Sequence, residues 1–420
     1  MHDYGQFRYD SKADLLERSA QYWNPNKTRF WQNSGTDLVI DKREGYILTD
    51  LSGHSLIDMH LNGGTYNFGH RHPELVQALK DGLDHFDIGN HHFPALARTA
   101  LAEALAATAP WPVCRTIYGS GGGEAIDIAL KSARNATGRR KIVSIIKGYH
   151  GHTGLAVCTG DARFSNLFLA DRPEEFVHVP FNDIGAMRAA LAGGDVAAVI
   201  METIPATYGF PMPAPGYLQA VKQAAEEHGT LYIADEVQTG LMRTGTMWAI
   251  EGYGVVPDII VSAKGIGGGL YPLGVVLVNE RSGAWLEQDG FGHMSTGGGG
   301  ELGCLVGLKV VEMCGRPEVR ENAARVTRIF AEGFTTLQKV HGGFFNEIRQ
   351  NGLIIGLGFD HPEGARFVSR ALYENGVWAI FSTLDPRILQ FKPGVLMTEA
   401  QCADVLERLD TALGQAREAA

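Results

Sequence analysis

Two apolar stretches end in residues able to act on a ligand. LYIADEVQTGLMRTG, residues 231–245, runs from strand-like residues straight into Asp235 and Glu236. Burying an unpaired carboxylate costs several kcal/mol or forces it to take up a proton, so a cation is expected near the end of this strand. DIIVSAKGIGGGLYPLG, residues 258–274, offers one: Lys264 follows an apolar run, precedes a glycine turn and lies 29 residues after Asp235. A lysine in such a turn is as often an ordinary solvated residue. Its place argues otherwise, because both residues fall at the C-terminal ends of candidate parallel strands, the edge at which open α/β sheets bind ligands. Glycine clusters at 119–124 (GSGGGE), 264–269 (KGIGGG) and 295–300 (STGGGG) point to tight turns close to that ligand.

These residues need a frame. Short apolar strands at 115–119, 141–146, 197–202, 231–236, 258–263 and 272–278 alternate with amphipathic helices at 124–136, 183–192 and 217–229. Alternation of this length predicts a mostly parallel sheet covered by helices on both faces. Ahead of it lie a helix over 12–23, a two-stranded hairpin over 45–59 with Ser-Gly in its turn, and helices in PELVQALKDGL and ALARTALAEALAA. One or two long helices fill 302–340. NEIRQNGLIIGLGF, a helix at 364–375, RILQF and a last helix at 400–416 then form a smaller α+β region. No internal repeat or Pro/Ser-rich linker separates the parts.

The chain has 420 residues, 45% of them hydrophobic and 20% charged, as in a soluble globular protein. Its 37 basic and 47 acidic residues give a formal charge of −10, which argues against nucleic-acid binding. Five scattered cysteines without CxxC spacing argue for reduced thiols in a cytoplasmic protein, against a disulfide frame and against a metal site. The N-terminal MHDYGQFRYDSKADLL lacks the pattern of a signal peptide, and no apolar run is long enough to span a membrane.

DEVQTGLMRTG followed by SAKGIGGGLYPLG resembles the class III (omega-type) aminotransferases, fold type I enzymes of pyridoxal 5′-phosphate (PLP). So do GHRHPELVQAL (69–79), SGGGEAIDIALKSAR (120–134), GYHGHT (148–153), the Met201-Glu202 pair and the Ser-Thr-glycine run at 295–300. The resemblance covers nearly the whole chain. It implies a large PLP-binding domain over 61–316 and a small domain built from both termini, 1–60 and 317–420. It also implies an amino group moved between an amine or amino-acid donor and a keto or aldehyde acceptor through a Lys264 Schiff base. In that reading Asp235 faces the pyridine nitrogen, keeping the ring cationic as an electron sink. Lys264, once displaced, carries the proton at the reacting carbon. Gln238 lies near the ring's phenolic oxygen, and Glu202 belongs to the same cofactor shell. Tyr149 stacks on the ring, a residue otherwise read as half-buried packing. Gly122 and Gly123 donate backbone N–H groups to the phosphate from a helix N-terminus. Gly121 stands where the family commonly has Ser or Thr, with Ser120 one place earlier. Thr296 reaches the phosphate of a neighbouring subunit, so a homodimer, or a tetramer, is implied; Gly297 follows it where an aromatic is usual.

The substrate side departs from the family. The arginine that grips a substrate carboxylate in many members falls on Gln390. The glutamate that masks that arginine falls on Thr207, five residues after Glu202. A third pocket position, often Tyr or Gln, falls near Gly63, and loss of that side chain enlarges the pocket. Lys392 lies two residues beyond Gln390; on a strand it faces the same side and could replace the charge, although a solvated lysine is the ordinary reading. His91 and His92, in NHHFP, occupy a segment that edges the partner's site in the family, although such pairs are more often structural. The same scaffold also serves racemases or epimerases, lyases and a decarboxylase. A remote alternative is a non-catalytic partner protein, which would need neither Lys264 nor Asp235.

Overall fold

The computed structural model describes residues 9–420. The first eight residues, part of the stretch read against a signal peptide, lie outside that range. Seven strands form the central sheet, in the order Cys114–Gly119, Gly274–Asn279, Ile259–Ser262, Leu231–Asp235, Val196–Glu202, Lys141–Ile145, Phe176–Val179. Five neighbouring strands pair in parallel. Gly274–Asn279, expected only as one more strand, runs antiparallel to both its neighbours. Phe176–Val179 escaped the sequence pattern, being four residues long and only half buried along its centre.

The period of two along each strand sorts side chains to the two faces. Leu231, Ile233, Ile259 and Val261 enter one core with Ile126, Ala129 and Leu130 of the helix Gly122–Thr137. Tyr232, Ala234 and Ile260 enter the larger core on the other face, with Leu218 and Val221 of the helix Tyr217–Glu227. The same alternation sends adjacent Asp235 and Glu236 in opposite directions. Register does the rest: Glu202 pairs with Asp235, and Asp235 with Val261, so the acids and the turn holding Lys264 end at one sheet edge.

Two smaller sheets flank this one. Ser55–Asp58 and Ile47–Asp50 form the expected hairpin, extended by Ile40–Glu44 on one side and by Val377–Trp378, parallel to Ser55–Asp58, on the other. Phe345–Asn351, Ile354–Phe359, Ile388–Phe391 and Ile380–Phe381 make the second. The helical segment 302–340 is two helices, Glu301–Gly315 and Pro317–His341, divided where Pro317 opens the second. A further helix, Pro25–Asn33, was not read from the sequence. All five cysteines are free thiols. Among the described residues no helix is long and apolar enough to cross a membrane, and no cluster of residues could hold a metal ion.

Candidate active site

A cavity of about 710 Å³ opens at the C-terminal edge of the central sheet. Its lining brings together Gly63, Gly122, Gly123, Tyr149, Glu202, Thr207, Asp235, Gln238, Lys264 and Gln390. Thr296, His91 and His92 are elsewhere on this chain, and Lys392 lies behind the wall rather than in it.

The two acids at the strand end do different work. Asp235 Oδ2 accepts from His150 Nδ1 at 2.7 Å and its Oδ1 from the Val237 N–H at 3.0 Å. Glu236 is sealed in the opposite core. Its carboxylate accepts from the hydroxyls of Thr203 and Thr239, both at 2.6 Å, and from the N–H groups of Ile250 and Ala249 at 2.8 and 3.0 Å. Neither acid lies within salt-bridge distance of Lys264, so the cation expected at the strand end is not the immediate partner of either. His150 takes Asp235, and neutral donors take Glu236. His150, within GYHGHT, was the adjacent signal that sequence reasoning left without a role.

Lys264 sits in the left-handed region at φ 47°, a strained setting for a non-glycine residue and one that clusters at functional sites. Its Nζ donates to Gln238 Oε1 at 3.4 Å. Burial pushes its pKa down, against the pull of Asp235 and Glu202. Gly63 faces this pair: a Cβ there would stand 2.8 Å from Gln238 Oε1 and 3.2 Å from Lys264 Cε, on backbone at φ 70°. The left-handed backbone favours glycine there, and a Cβ would crowd the ends of two flexible side chains. Glu202, expected near the cofactor, accepts from the N–H groups of Tyr149 and Ala206, both at 3.0 Å, and burial pushes its carboxyl up to about 7. Tyr149 is half-buried, its ring set edge-on to His152 and Phe164.

The helix Gly122–Thr137 starts at the cavity, where its first N–H groups have no acceptor within the helix. Glycine is required at Gly123 and Gly151, since a Cβ would come within 2.7 Å of Thr153 Oγ1 and 2.8 Å of Gly123 Cα respectively. Ser120 is held by Glu124 through both its N–H and its hydroxyl, each at 2.6 Å.

At the other end stand Thr207, Gln390 and His60. Gln390 Nε2 donates to the Ala206 carbonyl at 2.8 Å, and its Oε1 accepts from Lys392 Nζ at 2.6 Å. Lys392 also meets His60 Nδ1 at 3.1 Å. The ordinary reading of Lys392 as solvated is overturned: it is 0% exposed. Two residues along a strand do face one way, but that way here is inward. His60 was missed, because nothing local in the sequence links it to Lys392 at a separation of 332 residues.

His91 and His92 stack on each other at the surface, near Phe291. Arg98 ties that segment to the loop of Thr296, donating to the carbonyls of Phe93 and Gly299 at 3.1 and 3.0 Å. Phe93, Leu96, Phe291 and Met294 are exposed around it, and so is Thr296.

A lysine and a carboxylate at one sheet edge, beside a glycine-floored helix N-terminus, agree with what comparison finds. The family model described as "Aminotransferase class-III" matches residues 31–413, and the chain belongs to that family, whose members are PLP-dependent aminotransferases. It is 42% identical over 402 residues to an uncharacterized aminotransferase of Archaeoglobus fulgidus, covering 96% of this chain and 94% of that one. Among solved structures it resembles a transaminase from the marine bacterium Virgibacillus, with a TM-score of 0.90, 25% identity and coverage of 96% and 99%. The ornithine aminotransferase of Toxoplasma gondii gives a TM-score of 0.88 at 25% identity, covering 98% and 97%. The fold is accordingly that of fold type I enzymes. The residues present fit the cofactor. Gln238 Nε2, in the cavity lining, is a buried polar atom without a partner, and Gly121 has open space where a Cβ would point.

Proposed function

We propose that this aminotransferase exchanges an amino group between an amine or amino acid and a keto or aldehyde acceptor, with Lys264 and Asp235 as its catalytic residues. The observation that carries this is a half-buried Lys264 sharing one cavity with a held Asp235 and a glycine-floored helix N-terminus. When bound, PLP supplies a carbonyl that captures the amine and an electron sink for the bond broken at the substrate carbon.

The chain's own residues do the rest. Lys264, with its pKa lowered by burial, holds its amine ready to attach covalently to the cofactor and to carry a proton at the reacting carbon. Asp235, oriented by His150 and the Val237 N–H, is the carboxylate that would face the ring nitrogen of bound PLP. The Gly122 and Gly123 N–H groups receive the phosphate. Gln238 would offer its unpartnered Nε2 to bound PLP and Tyr149 would lie against it, while Glu202 fixes Tyr149 through its backbone. The carboxylate end of the pocket is atypical, with Gln390 and Thr207 in it. We propose further that the exposed apolar surface around Phe93 and Phe291 pairs two copies. That would bring Thr296, His91 and His92 to the partner's cavity, in a cytoplasmic homodimer whose small domain comprises 1–60 and 317–420.

The test is a single half-reaction. Cofactor-loaded protein is mixed with a panel of amines and amino acids without any acceptor. One equivalent of carbonyl product per site is the expected result and names the donor. Continuous release of ammonia, phosphate or carbon dioxide, or inversion of the substrate, would replace this reading with a lyase, decarboxylase or racemase. Borohydride should fix the cofactor onto Lys264 and no other residue.

A further inference from the structure

The active-site cavity has a neighbour. A second cavity of about 400 Å³ lies between the helices Pro25–Asn33 and Gly364–Glu374. Among the described residues Phe381 alone lines both. Local structure explains why. Ile380–Phe381 is a two-residue strand at the edge of its sheet, paired with Ile388–Phe391 so that Ile380 faces Gln390 and Phe381 faces Leu389. Alternation turns Ile380, with Gln390, to the active-site cavity and Phe381, with Leu389, to the other face. There the Phe381 ring lies 6.2 Å from Trp31 and 6.3 Å from Phe30, and the Arg366 guanidinium sits over it at 5.1 Å. The strand is the last of its sheet, so the ring borders both cavities around that edge. The charged side chains of the second lining are paired, Arg366 with Glu363 and Arg370 with Glu374. The walls are otherwise largely aromatic, with Trp31 set edge-on to Trp378 at 5.5 Å. A neutral aryl group is the chemistry such a space fits.

We propose that Phe381 is the partition that sets how long a donor this protein accepts. With the ring in place, an amine must fit its whole length between Lys264 and the wall formed by Ile380 and Phe381. Loss of the ring joins the second cavity to the first. An amine with an aryl group at its far end then lays that group against Trp31 and under the Arg366 guanidinium, where it takes up the contacts the Phe381 ring gave up. Adjacent residues thus limit different dimensions: Ile380 sets the width of the first cavity and Phe381 its reach. Phe381 is half-buried, and the backbone beside it is held by the Ser382 N–H on the Ile388 carbonyl at 2.8 Å, so the strand outlasts the ring. The inference rests on the aminotransferase reading and deepens it, naming long arylalkyl amines as the donors excluded and the residue that excludes them.

The test compares butylamine with phenylbutylamine on cofactor-loaded protein, following binding by calorimetry and carbonyl product in the half-reaction. Wild type should bind butylamine the more tightly. Phe381→Ala should raise affinity for phenylbutylamine relative to butylamine at least about tenfold, and Phe381→Leu should raise it by less. Ile380→Ala widens the first cavity without opening the second and should leave that ratio where the wild type has it. An unchanged ratio in Phe381→Ala, an equal rise in Ile380→Ala, or no binding of either amine by wild type and Phe381→Ala overturns the proposal. So does a wild type that binds phenylbutylamine as tightly as butylamine, an arm that needs no variant to fold. A ratio that shifts as expected in a protein forming no carbonyl product from any donor would instead overturn the proposed amino transfer and leave the partition standing.

Discussion

The two ends of the cavity are built on opposite plans. At the cofactor end, residues 122, 123, 149, 202, 235, 238 and 264 are delivered by strand ends and the turns after them. There backbone N–H groups and the side-chain nitrogen of Gln238 are left without a protein partner. At the substrate end, residues 60, 207, 390 and 392 come from separate elements, and three of them bond mainly to one another. An end with free donors commits the protein to one ligand. An end whose polar groups bond mainly to one another holds its shape without a ligand.

The largest expected effect breaks the first end. Lys264→Ala should lower turnover by at least about 10⁴-fold, and borohydride should then leave no cofactor on the protein by mass spectrometry. Retained labelling would mean another lysine holds the cofactor.

Adjacent acids sharpen the same end. Glu236→Ala strands four donors in the core and should cost about 3–5 kcal/mol in denaturant unfolding. Asp235→Asn should cost about 10²–10³-fold in turnover with cofactor retained and unfolding little changed. Exchange of these two outcomes would reverse the roles assigned to the pair.

At the substrate end, Gln390→Arg places a permanent cation where Gln390 Oε1 now accepts from Lys392 Nζ at 2.6 Å. It should destabilise the unliganded protein by about 2 kcal/mol. Adding Lys392→Met should recover that stability and produce a pocket that prefers carboxylate substrates at every pH. A stable single variant would show that the buried amine is not crowded.

The smallest effect is a gain. Lys392→Met should stabilise the unliganded protein by about 1–2 kcal/mol near neutral pH. The sign follows from the lowered pKa of this lysine. Between its lowered folded value and 10.5 the unfolded chain holds a proton that the folded chain gives up, so the penalty on folding the wild type, full below that window, fades as pH rises through it toward 10.5. The advantage of Met should shrink along the same course in melts taken at several pH values. A variant less stable than wild type at neutral pH would mean that the bonds to Gln390 and His60 outweigh the buried amine.

The contrast also explains what could be read without coordinates. Strand–turn–helix units carry their chemistry at fixed offsets, so Lys264, Asp235 and the glycine clusters stood out from local pattern, while Gln238 came only with the family resemblance. The sheet followed from the same alternation, although the reversed direction of Gly274–Asn279 did not, because a buried strand reads alike in either sense. Lys392 was misjudged since its burial depends on His60, and their contact is a property of the fold rather than of either neighbourhood. Glu236 was taken together with Asp235 as one question; strand alternation separated them into a structural acid and a site acid.

The parallel pairing of Ser55–Asp58 with Val377–Trp378 also sets an order of assembly. During synthesis every strand of the central sheet has been made by residue 279, and with it the edge that receives the cofactor. His60 has been made far earlier, yet it waits for Lys392, more than a hundred residues further on. A chain emerging from its N-terminus can therefore collapse around the cofactor end while the substrate end is still two loose strands of text. Refolding protein should regain cofactor absorbance before it regains turnover, and an arrest between residues 279 and 377 would leave a protein able to hold its cofactor with nothing to offer it.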